Sequence, residues 1–307
     1  MNYYLGLDVG GTSVKCGIID ETGNIMFDRI FSFNAQSYAD KDTIISNFTA
    51  IFKDLVGKIS DSEINIKAIG LAFPGPFDYE NGISLIKGIG KYDSIYNINL
   101  REEFFYKIRE DKYLSSLMDK ELKILFMHDI AAFALGEIFY GKGLGYNRII
   151  HLCIGTGAGS AFSIDRRLVG TGEGVPENGW IYNTKFKDSI IDDYISARGL
   201  ASIADQYFNT SHDGKKLYNM AVKQDETALL VFKKFGQNLY EAFTPFINGF
   251  KADCIILGGE IVRSFKFFGR QIEEFCKTER VDIRLTHNTS KSTLLGLYRK
   301  LSQSRSH

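Results

Sequence analysis

Two stretches of this chain repeat one pattern, an apolar run, a glycine-rich turn and a second apolar run. The first is YYLGLDVGGTSVKCGIID at residues 3–20 and the second is NRIIHLCIGTGAGSAFSIDRRLV at residues 147–169. Apolar runs of this length bounded by Gly, Asn or Asp read as strands joined by tight turns. A pattern that recurs half a chain apart marks a duplicated architecture. The elements that follow fit that reading. After a turn at residues 21–24, the stretch IMFDRIFSF extends the opening into a third strand. Ile44, Ile45, Phe48, Ile51, Phe52 and Leu55 recur at steps of three and four and predict a helix over 41–58. Strands are expected at 66–73 and 123–130, helices at 190–207 and 225–250, and a buried strand at 252–262. No Pro/Ser-rich linker separates the halves, so the division rests on the repeated topology. It places an N-terminal α/β lobe over 1–122, completed by a C-terminal helix at 291–304, and a C-terminal α/β lobe over 123–290. The expected ligand site is a cleft between them.

Composition narrows the function. At 307 residues the chain exceeds one ordinary core, in keeping with two lobes. Lys plus Arg equals Asp plus Glu at 37 each, which removes nucleic acid and an anionic membrane as default partners and favours a small neutral ligand. The first residues, MNYYLGLDVGG, lack a basic region followed by a long apolar stretch. No apolar run approaches the ~20 residues that span a bilayer, so the chain reads as cytoplasmic. Cys16, Cys153, Cys254 and Cys276 are far apart and show no metal-ligand spacing, which makes them reduced thiols.

Three turns share one chemical logic: Asp8-Val9-Gly10-Gly11-Thr12, Gly155-Thr156-Gly157-Ala158-Gly159-Ser160 and Gly258-Gly259-Glu260. Each follows an apolar strand, and glycine there lets backbone N–H groups approach an anion with no Cβ in the way. The hydroxyls of Thr12 and Thr156 can add hydrogen bonds, and Asp8 can hold Mg²⁺ through water. Any one of these turns taken alone is more often a plain hairpin turn. None matches GxxxxGK[ST], and GTGAGS lies between strands rather than opening a helix as a dinucleotide fingerprint does. Two phosphate loops, each starting a lobe, describe a nucleotide held between similar domains.

On these residues the chain resembles the ROK family of bacterial sugar kinases along nearly its whole length. LDVGGTSVKCGIID is similar to the family's first phosphate motif, GLAFPGPFD to its sugar-side loop, MHDIAAFALGE to its catalytic segment, CIGTGAGSAF to its second phosphate motif and DCIILGGEIV to its adenosine-side turn. The resemblance implies a two-lobed actin/hexokinase-like (ribonuclease H-like) ATPase fold with a central cleft. It also implies ATP with Mg²⁺, transfer of the γ-phosphoryl group to a sugar hydroxyl, and a homodimer or homotetramer. It assigns Asp129 as the base. It places Asp8, Gly10, Gly11, Thr12, Lys15, Gly155, Thr156, Gly157, Gly258 and Gly259 at the nucleotide, and Gly75, His128, Glu177, Trp180 and Asp192 at the sugar. Three departures matter. His128 stands where the family has Asn, Trp180 stands where many members have a zinc-ligating histidine, and Asp192 replaces a sugar-binding Glu. The cysteine-rich zinc loop is missing, so no zinc site is expected. The chain is similar here to a zinc-free subset that includes β-glucoside kinases and some N-acetylmannosamine kinases, and KGIGKYDSIYNINL at 87–100 resembles the β-glucoside kinase form of the sugar loop.

Each residue also has a plainer reading. Asp129, between strand and helix, suits an N-cap as well as a base. His128 is either a neutral hydrogen-bonded imidazole or a sugar contact. Glu177 and Asp192 are either solvated loop acids or a carboxylate pair accepting from adjacent hydroxyls. Trp180 either fills core or stacks on a sugar face, and Lys87 and Lys91 read as solvated charges. Two competing functions bear on the whole chain. A DNA-binding repressor would need a reading element ahead of Asp8, where this sequence leaves no room. A sugar-binding pseudokinase sits badly with the survival of Asp129 and all three glycine turns.

Overall fold

The computed structural model describes residues 1–60 and 63–303. The chain divides into two compact units, one formed by residues 1–136 with the stretch from Ser290 onward, the other by residues 137–289.

The first unit contains, in chain order, β1 (Asn2–Val9), β2 (Ser13–Asp20), β3 (Phe31–Asn34), α1 (Lys41–Val56), β4 (Asn65–Phe73), β5 (Phe77–Asp78), β6 (Ile83–Ser84), α2 (Leu100–Glu110), α3 (Lys112–Leu117) and β7 (Met118–His128). The helix α4 (Asp129–Tyr140) follows and carries the unit boundary within it. The sheet order is β3-β2-β1-β4-β7, antiparallel among β1, β2 and β3 and parallel among β1, β4 and β7. The apolar run of β1 is central and buried on both faces, which is why it shows no polar alternation. The periodic residues of α1 all turn inward, and the Asp40 side chain caps it by accepting from the Thr43 N–H at 2.9 Å.

The second unit contains β8 (Arg148–Ile154), β9 (Ala158–Ile164), β10 (Arg167–Val169), the hairpin of β11 (Lys185–Phe186) and β12 (Ser189–Ile190), α5 (Ala197–Asp205), α6 (Gly214–Val222), α7 (Glu226–Phe250), β13 (Cys254–Gly258), α8 (Phe265–Phe268), α9 (Arg270–Glu279) and β14 (Asp282–Leu285). Its sheet order, β10-β9-β8-β13-β14, repeats that of the first unit, with the same mixture of antiparallel and parallel neighbours. A separate apolar core fills it, led by Phe162, Phe232, Phe235, Phe243 and Phe250. This strand order in both units is the ribonuclease H-like arrangement, and its duplication is the actin/hexokinase-like fold.

The C-terminal helix α10 (Thr289–Gln303) packs in the first unit. Leu294, Tyr298 and Leu301 lie against Tyr4, Ile19 and Ala68 of the sheet, and Leu297 lies against Ala72 and Ala132. α10 and α4 cross so closely that a Cβ on Gly296 would sit 1.8 Å from the Ala132 carbonyl oxygen, so only glycine fits.

Three expectations change. The division moves from 122–123 to 136–137, because β7 pairs with β4 from Ala68↔Lys123 to Phe73↔His128 and so completes the first sheet instead of opening the second. The third strand starts only at Phe31, since Met26–Asp28 form a 3-10 turn with Phe27 at a φ of 62°. The helix expected from 190 begins at Ala197, where Ser196 supplies the cap, and Ile191–Asp193 form a 3-10 turn ahead of it. Among the described residues no helix is long and apolar enough to cross a membrane.

Candidate active site

In the first unit the parallel strands β1, β4 and β7 all end at one edge of the sheet. The register sets Asp8 of β1 beside Ala72 of β4, and Phe73 of β4 beside His128 of β7. Residues far apart in the chain, Asp8, Gly10 and Gly11, Gly75, His128 and Asp129, therefore lie at one edge, where ligands of open α/β sheets bind. The turn after β1 is closed by the Gly10 N–H donating to the Ser13 carbonyl at 3.0 Å, and the Gly11 carbonyl accepts from the Ser37 hydroxyl at 2.5 Å.

Asp129 opens α4. One carboxylate oxygen lies 2.9 Å from His128 Nδ1 and accepts the Ile130 N–H at 2.7 Å. Desolvation by the surrounding protein pushes this carboxyl up. The His128 hydrogen bond, its charge and the Ile130 N–H outweigh that effect, so Asp129 stays below the usual carboxylate range, and 52% of its side chain is open to solvent. The result is an ionised carboxylate with an open face. Tyr79, which the sequence reading missed, stands edge-on to the His128 ring at a centroid distance of 5.8 Å and donates to the Phe73 carbonyl at 3.0 Å. Gly75 lies against both, since a Cβ there would fall 3.3 Å from the Tyr79 hydroxyl and 3.8 Å from His128 Cδ2.

Asp8 behaves differently. Burial pushes its carboxyl up, the Ser290 hydroxyl pulls it down by donating a hydrogen bond at 2.7 Å, Asp129 pushes it further up, and Lys15 opposes that push. Lys15 is its cross-strand partner in β2, so antiparallel register places that charge near Asp8. Ser290, at the start of α10 and 282 residues away in sequence, carried no signal that it would meet Asp8.

In the second unit the glycine turns at 155–157 and 258–259 end two neighbouring parallel strands, β8 and β13, with Cys153 and Gly258 in register. Gly259 has a φ of 98°, and a Cβ on it would lie 2.2 Å from the Ile154 carbonyl oxygen, so the two turns touch through backbone. Gly155 N–H donates to the Gly157 carbonyl at 2.9 Å, and the Gly155 carbonyl accepts the Ala197 N–H at 2.9 Å. Thr12 and Thr156 are both exposed.

Asp192, expected at the sugar, is engaged by the protein itself. It is buried, one oxygen accepts the Ala158 N–H at 2.7 Å immediately after the glycine turn, and the other is paired with Arg198. Its carboxylate braces the second turn from behind. Glu177 is exposed at a 3-10 turn. The Ser160 hydroxyl pins the next residues by donating to the Gly179 carbonyl at 2.7 Å and accepting the Ile181 N–H at 2.9 Å. Trp180 is half-buried beside Tyr182, with ring centroids 6.1 Å apart, and is not part of the core.

The geometry has counterparts among known proteins. A glucokinase from Thermotoga maritima is 23% identical over 289 residues, covering 85% of this chain and 82% of its own. An N-acetyl-D-glucosamine kinase from Salmonella gallinarum is 21% identical over 276 residues, covering 83% of each. The crystal structure of a ROK family glucokinase from Streptomyces griseus in complex with glucose and AMPPNP superposes with a TM-score of 0.74 at 18% identity, over 98% of this chain and 99% of that one. A model of the ROK family matches residues 4–296, from the first strand to the C-terminal helix, and on that match the chain belongs to the ROK family.

Proposed function

We propose that this chain transfers the γ-phosphoryl group of ATP to a hydroxyl of a hexose or hexose derivative, with Asp129 as the base. The observation that carries this reading is the state of Asp129, an ionised carboxylate with one face open, at the same sheet edge as a glycine turn. The sugar O–H gives its proton to Asp129 while its oxygen bonds to the γ-phosphorus, and the bond from that phosphorus to the bridging oxygen breaks as ADP leaves. Gly10, Gly11, Thr12 and Lys15, and likewise Gly155, Thr156, Gly157, Gly258 and Gly259, are assigned to nucleotide binding. Gly75, His128, Glu177 and Trp180 serve the sugar, and Asp192 positions the second turn through Ala158.

Magnesium bound with ATP would supply neutralisation of phosphate charge. Asp8 fits a role in holding it through water, because a desolvated carboxyl pushed up beside a second carboxylate is relieved by a cation. The kinase names of the relatives support a sugar as acceptor, with glucose and N-acetylglucosamine as the first to try. A homodimer or homotetramer belongs to the same reading. The test is ADP release coupled to NADH oxidation with glucose, N-acetylglucosamine, N-acetylmannosamine, mannose, fructose and a β-glucoside. Sugar-dependent ADP release supports the kinase. Saturable sugar binding without ADP release with any of them would make the chain a sugar-binding regulator.

A further inference from the structure

We infer that Lys91 is a catalytic residue whose ammonium meets the phosphoryl group in flight; the inference rests on the kinase reading above. By sequence alone Lys91 is a solvated charge. The fold instead lays its side chain along the first glycine turn: a Cβ on Gly11 would fall 2.4 Å from Lys91 Cδ and 2.8 Å from Nζ. Lys91 is half-buried, and among the described residues no hydrogen bond or ion pair holds its ammonium. Lys87, four residues earlier, differs, since its ammonium stands over the Tyr96 ring at 4.9 Å. Lys15 rather than Lys91 is the cation that acts on Asp8.

The backbone that carries Lys91 is tied to the same turn. The neighbouring Tyr92 is 1% exposed, its hydroxyl donates to the Gly10 carbonyl at 2.9 Å, and its N–H donates to the Ser37 carbonyl at 2.6 Å. Ser37 in turn donates to the Gly11 carbonyl, so two links run from this segment to the two glycines. The Tyr92 ring packs on Phe73 at 5.1 Å, the last residue of β4. On the other side, the Asp93 carboxylate accepts the Ile89 and Gly90 N–H groups at 3.3 and 3.1 Å, which fixes the bend that precedes the lysine. A long cation on so firmly held a backbone, lying along a glycine turn, is preorganised for charge that develops there.

The chemistry follows without a new reactant. As the γ-phosphoryl group moves from ADP to the sugar oxygen, negative charge spreads over its three outer oxygens, and an ammonium beside them stabilises that arrangement more than the ground state. The proton released by the sugar goes to Asp129.

The test uses full-length Lys91→Met and Lys91→Arg. The expected result for Lys91→Met is a loss of about 10²-fold in kcat with an unchanged melting temperature, and partial recovery in Lys91→Arg. Calorimetric titration adds a readout that needs no turnover. Lys91→Met should bind Mg·AMPPNP about tenfold more weakly and Mg·ADP within about twofold of wild type, because only the former carries a third phosphate. A kcat within about threefold of wild type would overturn the inference. Equal weakening toward AMPPNP and ADP would overturn it too, by making Lys91 a support of the turn. A wild-type protein that turns over no sugar, yet distinguishes AMPPNP from ADP through Lys91, would sink the kinase reading and leave the phosphate contact standing.

Discussion

A general base must be ionised and must also leave an oxygen free for the proton it takes, and the His128–Asp129 pair meets both needs. His128 and the Ile130 N–H converge on the same carboxylate oxygen. Asp129→Asn keeps the shape and removes the base, so turnover should fall by ~10²–10⁴ while the melting temperature and nucleotide affinity hold. Steady-state kinetics of that variant within a few-fold of wild type would remove Asp129 from the mechanism. A second histidine has a purely structural consequence. His151 is fully buried in β8, and burial pushes its imidazole down to about 3, with Nε2 at 3.1 Å from the Ser163 hydroxyl. The native state keeps it neutral, whereas the unfolded chain protonates it near its ordinary value of 6.5. Between those values the unfolded state binds more protons, so stability falls as pH drops below about 6.5, by up to ~1.4 kcal/mol per pH unit from this residue. Urea melts of wild type and His151→Gln at neutral and mildly acidic pH check it: the variant should lose part of the acid-dependent slope, and an unchanged slope refutes the assignment.

At the scale of elements, the segment from 177 to 192 is ordered by contacts with its own unit. The hairpin of β11 and β12 is pinned to α7 by Lys187, which donates to Asn238 at 2.6 Å and pairs with Glu241 at 3.0 Å. Its base is closed by the Ile191 and Asp192 N–H groups donating to the Thr184 and Tyr182 carbonyls, each at 3.0 Å. The four cysteines lie on β2, β8, β13 and α9, away from this loop in sequence and on elements of regular structure. Untagged protein should therefore carry no stoichiometric zinc by elemental analysis. Trp180 is half-buried at the start of this segment and is the proposed sugar contact. Trp180→Ala should change stability by less than about 1 kcal/mol, raise KM for the best sugar and flatten preference among sugars, with KM for ATP almost unchanged. A large drop in melting temperature would return the indole to a packing role. This loop also marks the limit of what the sequence could tell. β1, β2, β4, α1 and the three glycine turns were legible because period, capping and turn chemistry are local. The role of Asp192 was not, because a carboxylate 34 residues from Ala158 declares its partner only once α5 and β9 are in place. The same holds for Ser290 on Asp8 and Lys91 on Gly11, which long-range register and packing bring together and no spacing encodes.

At the scale of the whole molecule, the two units differ in how they are closed. The second is continuous in sequence, residues 137–289, and holds its own sheet and core. The first is completed only by α10, whose Leu294, Leu297, Tyr298 and Leu301 cover Tyr4, Ile19, Ala68 and Ala72 on one face of its sheet. Burying four such side chains contributes about 6–12 kcal/mol at ~1.5–3 kcal/mol each, which is as large as the entire stability of an ordinary domain. The same helix places Ser290 on Asp8, so its loss also strips the hydrogen bond that holds that carboxylate. A chain truncated after Thr289 should therefore unfold its first unit and keep its second. Hydrogen exchange should lose protection across β1, β4 and β7 and retain it across β8, β13 and α7, and a separate fragment of residues 137–289 should melt cooperatively by circular dichroism. Protection that persists in β1 and β4 of the truncated chain would mean that the first sheet is held by α1 and its aromatic core alone. An unfolded 137–289 fragment would mean that the second unit depends on the first for its stability, despite the closed core that lines its sheet.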